Sequence, residues 1–211
     1  MSSLAQSASA WAALSYLIGA IPMGVLVARL KGIDLRTVGS GNIGATNAAR
    51  ALGTKLGLAV FALDVVKAAT PVVLARQSWA LGSSPEAQPG LALVAMAAIV
   101  GHIFPLYLRF RGGKGVACAL GVFVGLDPPV ALAAAVMYGQ GMWLTRISAV
   151  GSLTAVTSIT MCVLIADKPW AHQVLAVAAA LLIWARHASN IRELVAQAKA
   201  RKRAAKSADP A

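Results

Sequence analysis

Polar residues in this chain arrive in short bursts between long apolar runs, and the runs themselves do not alternate. Seven runs approach the roughly 17 to 25 residues that a helix needs to cross a hydrocarbon core: Leu4 to Ala28, Leu56 to Leu74, Leu91 to Leu108, Gly112 to Leu126, Val130 to Leu144, Ile147 to Ile165 and Trp170 to Ala185. The fourth, fifth and seventh are short, so their edges are the least defined. The runs are continuous and rich in Ala and Leu, which predicts helices; barrel strands would alternate between a lipid face and a lumen face. The expected fold is an all-α integral membrane protein of about seven transmembrane helices. Residues 1–191 form one transmembrane domain and residues 192–211 a basic tail, expected to be helical near the membrane.

Composition supports this reading. The chain has 211 residues, 58% hydrophobic and 12% charged, with a mean hydropathy of +0.72, too apolar for a soluble domain of this length. The net charge of +12 would suit nucleic acid, but its distribution argues for topology. Alternate gaps are basic: Arg29, Lys31, Arg36, Arg50 and Lys55 in the first, Arg109, Arg111 and Lys114 in the third, Arg146 in the fifth, and Arg186, Arg192, Lys199, Arg201, Lys202, Arg203 and Lys206 at the end. The second gap holds only Arg76, the sixth only Lys168 and the fourth none. By the positive-inside rule the N-terminus lies outside and the C-terminus in the cytoplasm, and no nucleic-acid partner is expected. No Lys or Arg precedes Arg29, so Ala8-Ser9-Ala10 reads as part of an uncleaved first helix, without the basic region of a cleavable signal. Cys118 and Cys162 both fall inside expected spans, and no His/Cys cluster has metal spacing; neither a disulfide nor a metal site is expected.

Three polar constellations interrupt the apolar pattern. The first is GSGNIGATNAAR, Gly39 to Arg50. Its glycines let backbone amides turn inward on an anion, Ser40, Asn42, Thr46 and Asn47 add neutral hydrogen bonds, and Arg50 supplies a planar fork for phosphate oxygens. The stretch formally matches GxGxxG, but no strand precedes it, so a dinucleotide site is excluded. The second is GHIFPLYLRFRGGKGVA, Gly101 to Ala117, in which Gly112, Gly113, Lys114 and Gly115 form a glycine-rich turn ahead of a helix N-terminus. The long spacing and the hydroxyl of a nucleotide-binding P-loop are absent; a smaller phosphate or a phosphorylated lipid fits. The third is Arg186-His187-Ala188-Ser189-Asn190-Ile191, where His187 and Asn190, three apart, are expected to share a helix face. All three lie on the cytoplasmic side by a charge count that ignored them. Two phosphate loops and a His/Asn pair at one membrane surface imply two anionic substrates, at least one of them lipidic.

Asp64 and Lys67, three apart inside the second run, read as a structural ion pair that neutralises itself, ahead of a proton relay or a direct substrate contact. His102 and Pro105 read as a packed histidine and a kink.

Together these motifs resemble the bacterial acyl-phosphate:glycerol-3-phosphate acyltransferase family. The resemblance spans most of the chain: Ser15-Tyr-Leu-Ile-Gly-Ala-Ile-Pro22, GSGNIGATNAAR, the Asp64 and Lys67 spacing, GHIFP, GGKGVA and RHxxNI, in that order. It implies seven helices, no cofactor, no metal, and transfer of an acyl group from acyl phosphate to the 1-hydroxyl of glycerol 3-phosphate, with an enzyme that makes acyl phosphate as a partner. It also implies site residues: Ser40, Asn42, Thr46, Asn47 and Arg50 from the first motif, Gly112, Gly113, Lys114 and Gly115 from the second, His187 and Asn190 from the third. Ser40, Lys114, His187 and Asn190 are the catalytic candidates, and amides near Gly113 the candidates for holding the carbonyl oxyanion. One departure is visible. Where the family usually has a basic residue and a carboxylate between His and Asn, this chain has Ala188 and Ser189, so His187 and Asn190 must suffice. A transporter for a phosphorylated solute is the rival reading; it would place its binding groups near the midplane and often duplicate its halves. A polyprenyl-phosphate transferase would need acidic clusters for Mg²⁺, and the cytoplasmic gaps and tail offer only the scattered Asp34, Glu193 and Asp209.

The charge alternation makes a topological prediction. In a background without Cys118 and Cys162, single cysteines at Ser3 and Ser83 should label from outside intact cells and one at Ser207 should not. Labelling at Ser207 would invert the topology.

Overall fold

A computed structural model describes residues 2–79 and 84–208, and the side chains of residues 7–79 and 84–200; position 83 of the labelling prediction lies outside them. Every element among the described residues is helical. α1, Ser2–Ala20, stops at Ile21 because Pro22 lacks an N–H and its ring blocks the preceding turn, and the chain resumes as α2, Met23–Arg29. A polar loop leads to α3, Ala45–Leu52, and Gly53, at φ +90°, separates it from α4, Thr54–Ser78. α5, Gln88–Ile103, ends before Pro105, and a single 3₁₀ turn, Leu106–Leu108, follows. The last helices are α6, Val116–Leu126, α7, Pro128–Thr145, α8, Ser148–Ile165, α9, Trp170–Arg186, and α10, Ala188–Ala208. Prolines open α7, where a missing N–H costs no helical bond, and the Asp127 carboxylate accepts from Val130 N at 3.5 Å.

Four described segments are long and apolar enough to cross a membrane: Ser7–Arg29, Thr54–Ser78, Gln88–Leu108 and Ser148–Ile165. A fifth arises if α9 and the first part of α10, bent by 53°, form one span. Three boundaries read from hydropathy move. The first run is broken at Ile21-Pro22, and the third leaves the helix at Ile103. The fourth starts at Val116 and not Gly112, because Gly112 and Gly113 turn back onto the end of α5; only 11 residues remain helical in α6.

Apolar surroundings give two helices little hydrophobic reason to associate, so close contact depends on small residues and on dispersion. α1 lies along α5, with Gly19 against the Ala98 backbone and Gly101 against the Tyr16 carbonyl and Ala20 amide. Ser15 Oγ donates to Val94 O at 2.7 Å and Tyr16 OH to Phe104 O at 2.8 Å, so the same pair is also tied by hydroxyls. Gly121 of α6 fits on the Val65 backbone. The hydroxyls of α8 bond both within their helix and across to its neighbours: Thr154 reaches Val150 O in its own helix and Met137 O of α7, both at 3.1 Å, and Thr160 reaches Ala176 O at 3.3 Å. Leu132, Trp143, Ile165 and Leu181 point outward, a cost in water but a lipid-compatible belt in a membrane.

The helix ends sort into two groups. One end of the bundle holds the ion pair Lys168 Nζ–Asp127 Oδ2, 2.7 Å, and Arg76 Nη1 donating to Gly125 O at 3.2 Å. The other end gathers the three polar constellations.

The α1–α5 contact is the tightest test of this packing. A methyl at Gly101 would collide with backbone atoms of Tyr16 and Ala20, so the helices must part, and overpacking of this kind costs roughly 1 to 3 kcal/mol. Gly101→Ala should lower the melting temperature in detergent, while Gly139→Ala, with open space around it, should not.

Candidate active site

The first loop is shaped from inside by one asparagine. Gly39 and Gly41 adopt φ of +58° and +67°, a region that side chains disfavour, and a Cβ on Gly39 would also strike Asn47 Oδ1. Asn47 is 2% exposed. Its Oδ1 accepts from Ser40 N at 3.0 Å, and its Nδ2 donates to Leu35 O, Val38 O and Asn42 O at 3.1, 3.0 and 2.9 Å. Asn42 Oδ1 in turn accepts from Gly44 N at 2.9 Å. These two amides therefore give the loop its form, and of the neutral donors expected to face a phosphate the Asn47 amide is already used within the loop. Thr46 Oγ1 shares a 2.9 Å hydrogen bond with Ser148 Oγ, which ties α3 to α8. The Ser40 hydroxyl and the Arg50 guanidinium make no hydrogen bond among the described residues, and both are exposed.

In the second loop, Gly112 N donates to Ile103 O at 3.2 Å and Gly113 N to His102 O at 3.1 Å. These bonds satisfy carbonyls at the end of α5 that would otherwise be orphaned. The Gly113 amide is thus not available to an oxyanion. The amides of Lys114 and Gly115, which donate to no group among the described residues, are; Gly115 turns the chain at φ +89° into the N-terminus of α6. The Lys114 ammonium reaches across to Asn190 Oδ1.

The third constellation departs from its expected geometry. His187 and Asn190 do not lie within one continuous helix, because the chain bends by 53° between α9 and α10 with His187 at the joint, φ −96° and ψ 1°. Asn190 consequently serves Lys114. His187 is 2% exposed and its Nδ1 lies 2.8 Å from Ile183 O. A carbonyl can only accept, so Nδ1 carries the proton and Nε2 presents a lone pair. Burial, reinforced by the charges of Lys114 and Arg186 and opposed by the Ile183 bond, holds its pKa below the ordinary histidine value. The ring is neutral at pH 7.

Two further residues belong here that sequence reasoning left without a role. Arg186 stands 5.9 Å over the Phe104 ring and donates to Gly112 O at 3.2 Å, fastening α9 to the glycine turn. Glu193, one turn beyond Asn190 on α10, acts on Lys114 through its charge. The Lys114 pKa lies below that of an ordinary lysine, first because of burial and then because of the Arg186 and Arg50 charges, with Glu193 opposing. The charges of Arg50, Arg186 and Glu193, from three separate segments, therefore all act on Lys114.

Residues 9–197 match the family model described as glycerol-3-phosphate acyltransferase. The chain belongs to that family. Glycerol-3-phosphate acyltransferases of Anaeromyxobacter sp. (strain Fw109-5) and Myxococcus xanthus (strain DK1622) are 50% and 45% identical to it, over 87% and 92% of this chain and 90% and 98% of theirs. Two crystal structures of the integral membrane glycerol 3-phosphate acyltransferase PlsY (YgiH) superpose on the fold. The glycerol 3-phosphate form gives a TM-score of 0.85 at 37% identity, and the lysophosphatidic acid form 0.83 at 36%; each comparison covers 90% of this chain and 93% of the other.

The depressed Lys114 pKa has a measurable sign in this acyltransferase. The folded state binds its proton less tightly than the unfolded state, so the folding cost of the charge is present at neutral pH and relieved as pH rises through the folded pKa. An anion bound beside Lys114 opposes the shift. Inorganic phosphate should therefore bind with proton uptake at alkaline pH, where it is already a dianion. Titration calorimetry in buffers of different ionisation heat would detect this, and equal apparent heats in all buffers would contradict it.

Proposed function

We propose that this protein is a multi-pass membrane enzyme that transfers a fatty acyl group from acyl phosphate to the 1-hydroxyl of glycerol 3-phosphate, giving lysophosphatidic acid and inorganic phosphate. The observation that carries the reading is the convergence of Arg50, Lys114 and Arg186 beside the open amides of Lys114 and Gly115. Family membership supports the acceptor. The seven-span topology, with the N-terminus outside and this end of the bundle facing the cytoplasm of the inner membrane, follows from the charge alternation.

The chemistry needs positioning and charge neutralisation more than a strong base, since acyl phosphate is a mixed anhydride with a good leaving group. Arg50 and Lys114 hold the two phosphates against their mutual repulsion. The Ser40 hydroxyl and His187 Nε2 orient the glycerol hydroxyls, with Nε2 accepting the hydrogen bond of the attacking one. The 1-oxygen bonds to the acyl carbon, the Lys114 and Gly115 amides hold the oxyanion, the bond from that carbon to the phosphate oxygen breaks, and the hydroxyl proton leaves on the released phosphate. Asn190 keeps the Lys114 ammonium in place. No acyl-enzyme forms, because the Ser40 hydroxyl has no base or carboxylate aligned with it among the described residues.

The test is to give purified protein acyl phosphate and glycerol 3-phosphate without added metal and assay lysophosphatidic acid. Product from acyl phosphate and none from acyl-CoA is expected, and equal turnover of acyl-CoA would overturn the donor assignment. Arg50→Ala and Lys114→Ala should each nearly abolish turnover, since losing a charged partner in a partly dehydrated site commonly costs about 2 to 5 kcal/mol, and Arg50→Lys should rescue poorly because the planar fork is lost. Labelled acyl phosphate alone should leave no stable label on the protein. Stoichiometric acyl-Ser40 that glycerol 3-phosphate discharges at the turnover rate would replace direct attack with a covalent relay.

A further inference from the structure

Beneath the two glycine loops, inside the helix bundle, lies a cluster of ionisable side chains that the reaction above does not use. Asp64 and Lys67 of α4, His102 of α5 and Cys118 of α6 are 2%, 4%, 4% and 0% exposed. Lys67 Nζ stands 2.7 Å from Asp64 Oδ1, 2.7 Å from Ile21 O and 3.1 Å from His102 Nδ1. An ammonium has three protons and no lone pair, and three acceptors surround this one. His102 Nδ1 must then accept, which makes the imidazole neutral and places its proton on Nε2. Donor atoms of Asp64, His102 and Cys118 lie within 4.8 Å of one another, but the cation in their midst is the Lys67 ammonium. A self-neutralising pair needs only Asp64 and Lys67; the other two bonds lead elsewhere.

One bond leads to each loop. Ile21 is the break between α1 and α2, and α2 carries the first loop on its back: Gly24 lies so close to the Ile43 carbonyl and the Leu35 side chain that a Cβ would collide. His102 carries the second loop. Its carbonyl accepts the Gly113 amide at 3.1 Å, and the Nε2 end of its ring abuts Gly113, where a Cβ would meet Nε2, Cε1 and Cδ2. Cys118 Sγ, two residues into α6, approaches Asp64 O at 3.5 Å and seats the far side of the same loop on α4. We propose that Lys67 and His102 are positioning residues for acyl transfer: one buried ammonium fixes the relative placement of the two phosphate-binding loops by holding the α1–α2 break with one proton and the imidazole beneath Gly113 with another.

The inference rests on the acyl-transfer reading, and its test separates the two. The variants are Lys67→Met, the charge-balanced double variant Asp64→Asn with Lys67→Met, His102→Phe and Gly113→Ala, the last of which pushes the ring aside without altering any charge. Each is assayed for kcat and KM with both substrates, for phosphate binding by calorimetry, and for melting temperature. Misplacing reacting groups by about 1 Å commonly costs on the order of 10²-fold. Gly113→Ala and the double variant should therefore lose about that factor in kcat/KM, with weakened phosphate binding, at temperatures where each variant is still fully folded. If the double variant recovers both stability and full activity, the pair is only a neutralised structural contact and the proposal fails. It fails equally if Gly113→Ala keeps wild-type KM values. Should Lys67→Met not fold, Gly113→Ala and His102→Phe decide alone. An inactive wild type would sink the acyl-transfer reading instead, while phosphate binding would still report on the loops.

Discussion

Repulsion among like charges is the constraint on which this molecule depends. Arg50 arrives on α3, Lys114 on the turn before α6 and Arg186 at the end of α9, and the two arginine charges add to burial in holding the Lys114 pKa down. Left to themselves these segments would separate and hydrate their cations. They are held by groups that carry no net charge toward the site: the Asn47 amide inside the first loop, the two glycine amides folded onto the end of α5, and the Arg186 bond to Gly112 O. Glu193 offsets part of the repulsion. An anionic substrate would offset the rest, so the energy stored in assembling the site becomes binding energy for phosphate.

Such an arrangement needs a stiff support. Small residues bring α1 to α5 and α4 to α6 at backbone contact, where sliding is sterically blocked. The Lys67 ammonium adds direction to that contact, since from α4 it bonds both the α1–α2 break and α5. Hydrogen bonds in a low-dielectric interior are strong when complete and costly when broken, so this cluster tolerates little displacement of either loop.

Hydropathy made the helical class, the longest spans and the polar breaks between them legible, because apolar run length is a direct consequence of membrane thickness. It erred where backbone chemistry overrides composition. Gly112 and Gly113 open the fourth apolar run, yet their amides complete the end of α5, and Pro22 divides a run that reads as uniform. The site residues were legible as types but not as roles. Asn47 looked like a donor to substrate and proves to be the frame of its loop; Asn190 looked like the partner of His187 and instead holds Lys114. A bend at His187 has no signature in Arg186-His187-Ala188-Ser189, all of which are compatible with a helix. His102 was hidden for another reason. A lone histidine on an apolar helix is usually a packed one, and only its distance to Lys67, 35 positions away, reveals the link.

The most direct measurement of the central claim is the melting temperature of ligand-free Lys114→Met with and without phosphate. Methionine keeps the aliphatic stem and removes the charge. Relief of burial and of the Arg50 and Arg186 repulsion predicts a variant that melts higher than wild type when empty and gains nothing from phosphate. A variant that melts lower than wild type and is still stabilised by phosphate would contradict it, since Lys114 would then be a structural lysine and the anion would bind elsewhere.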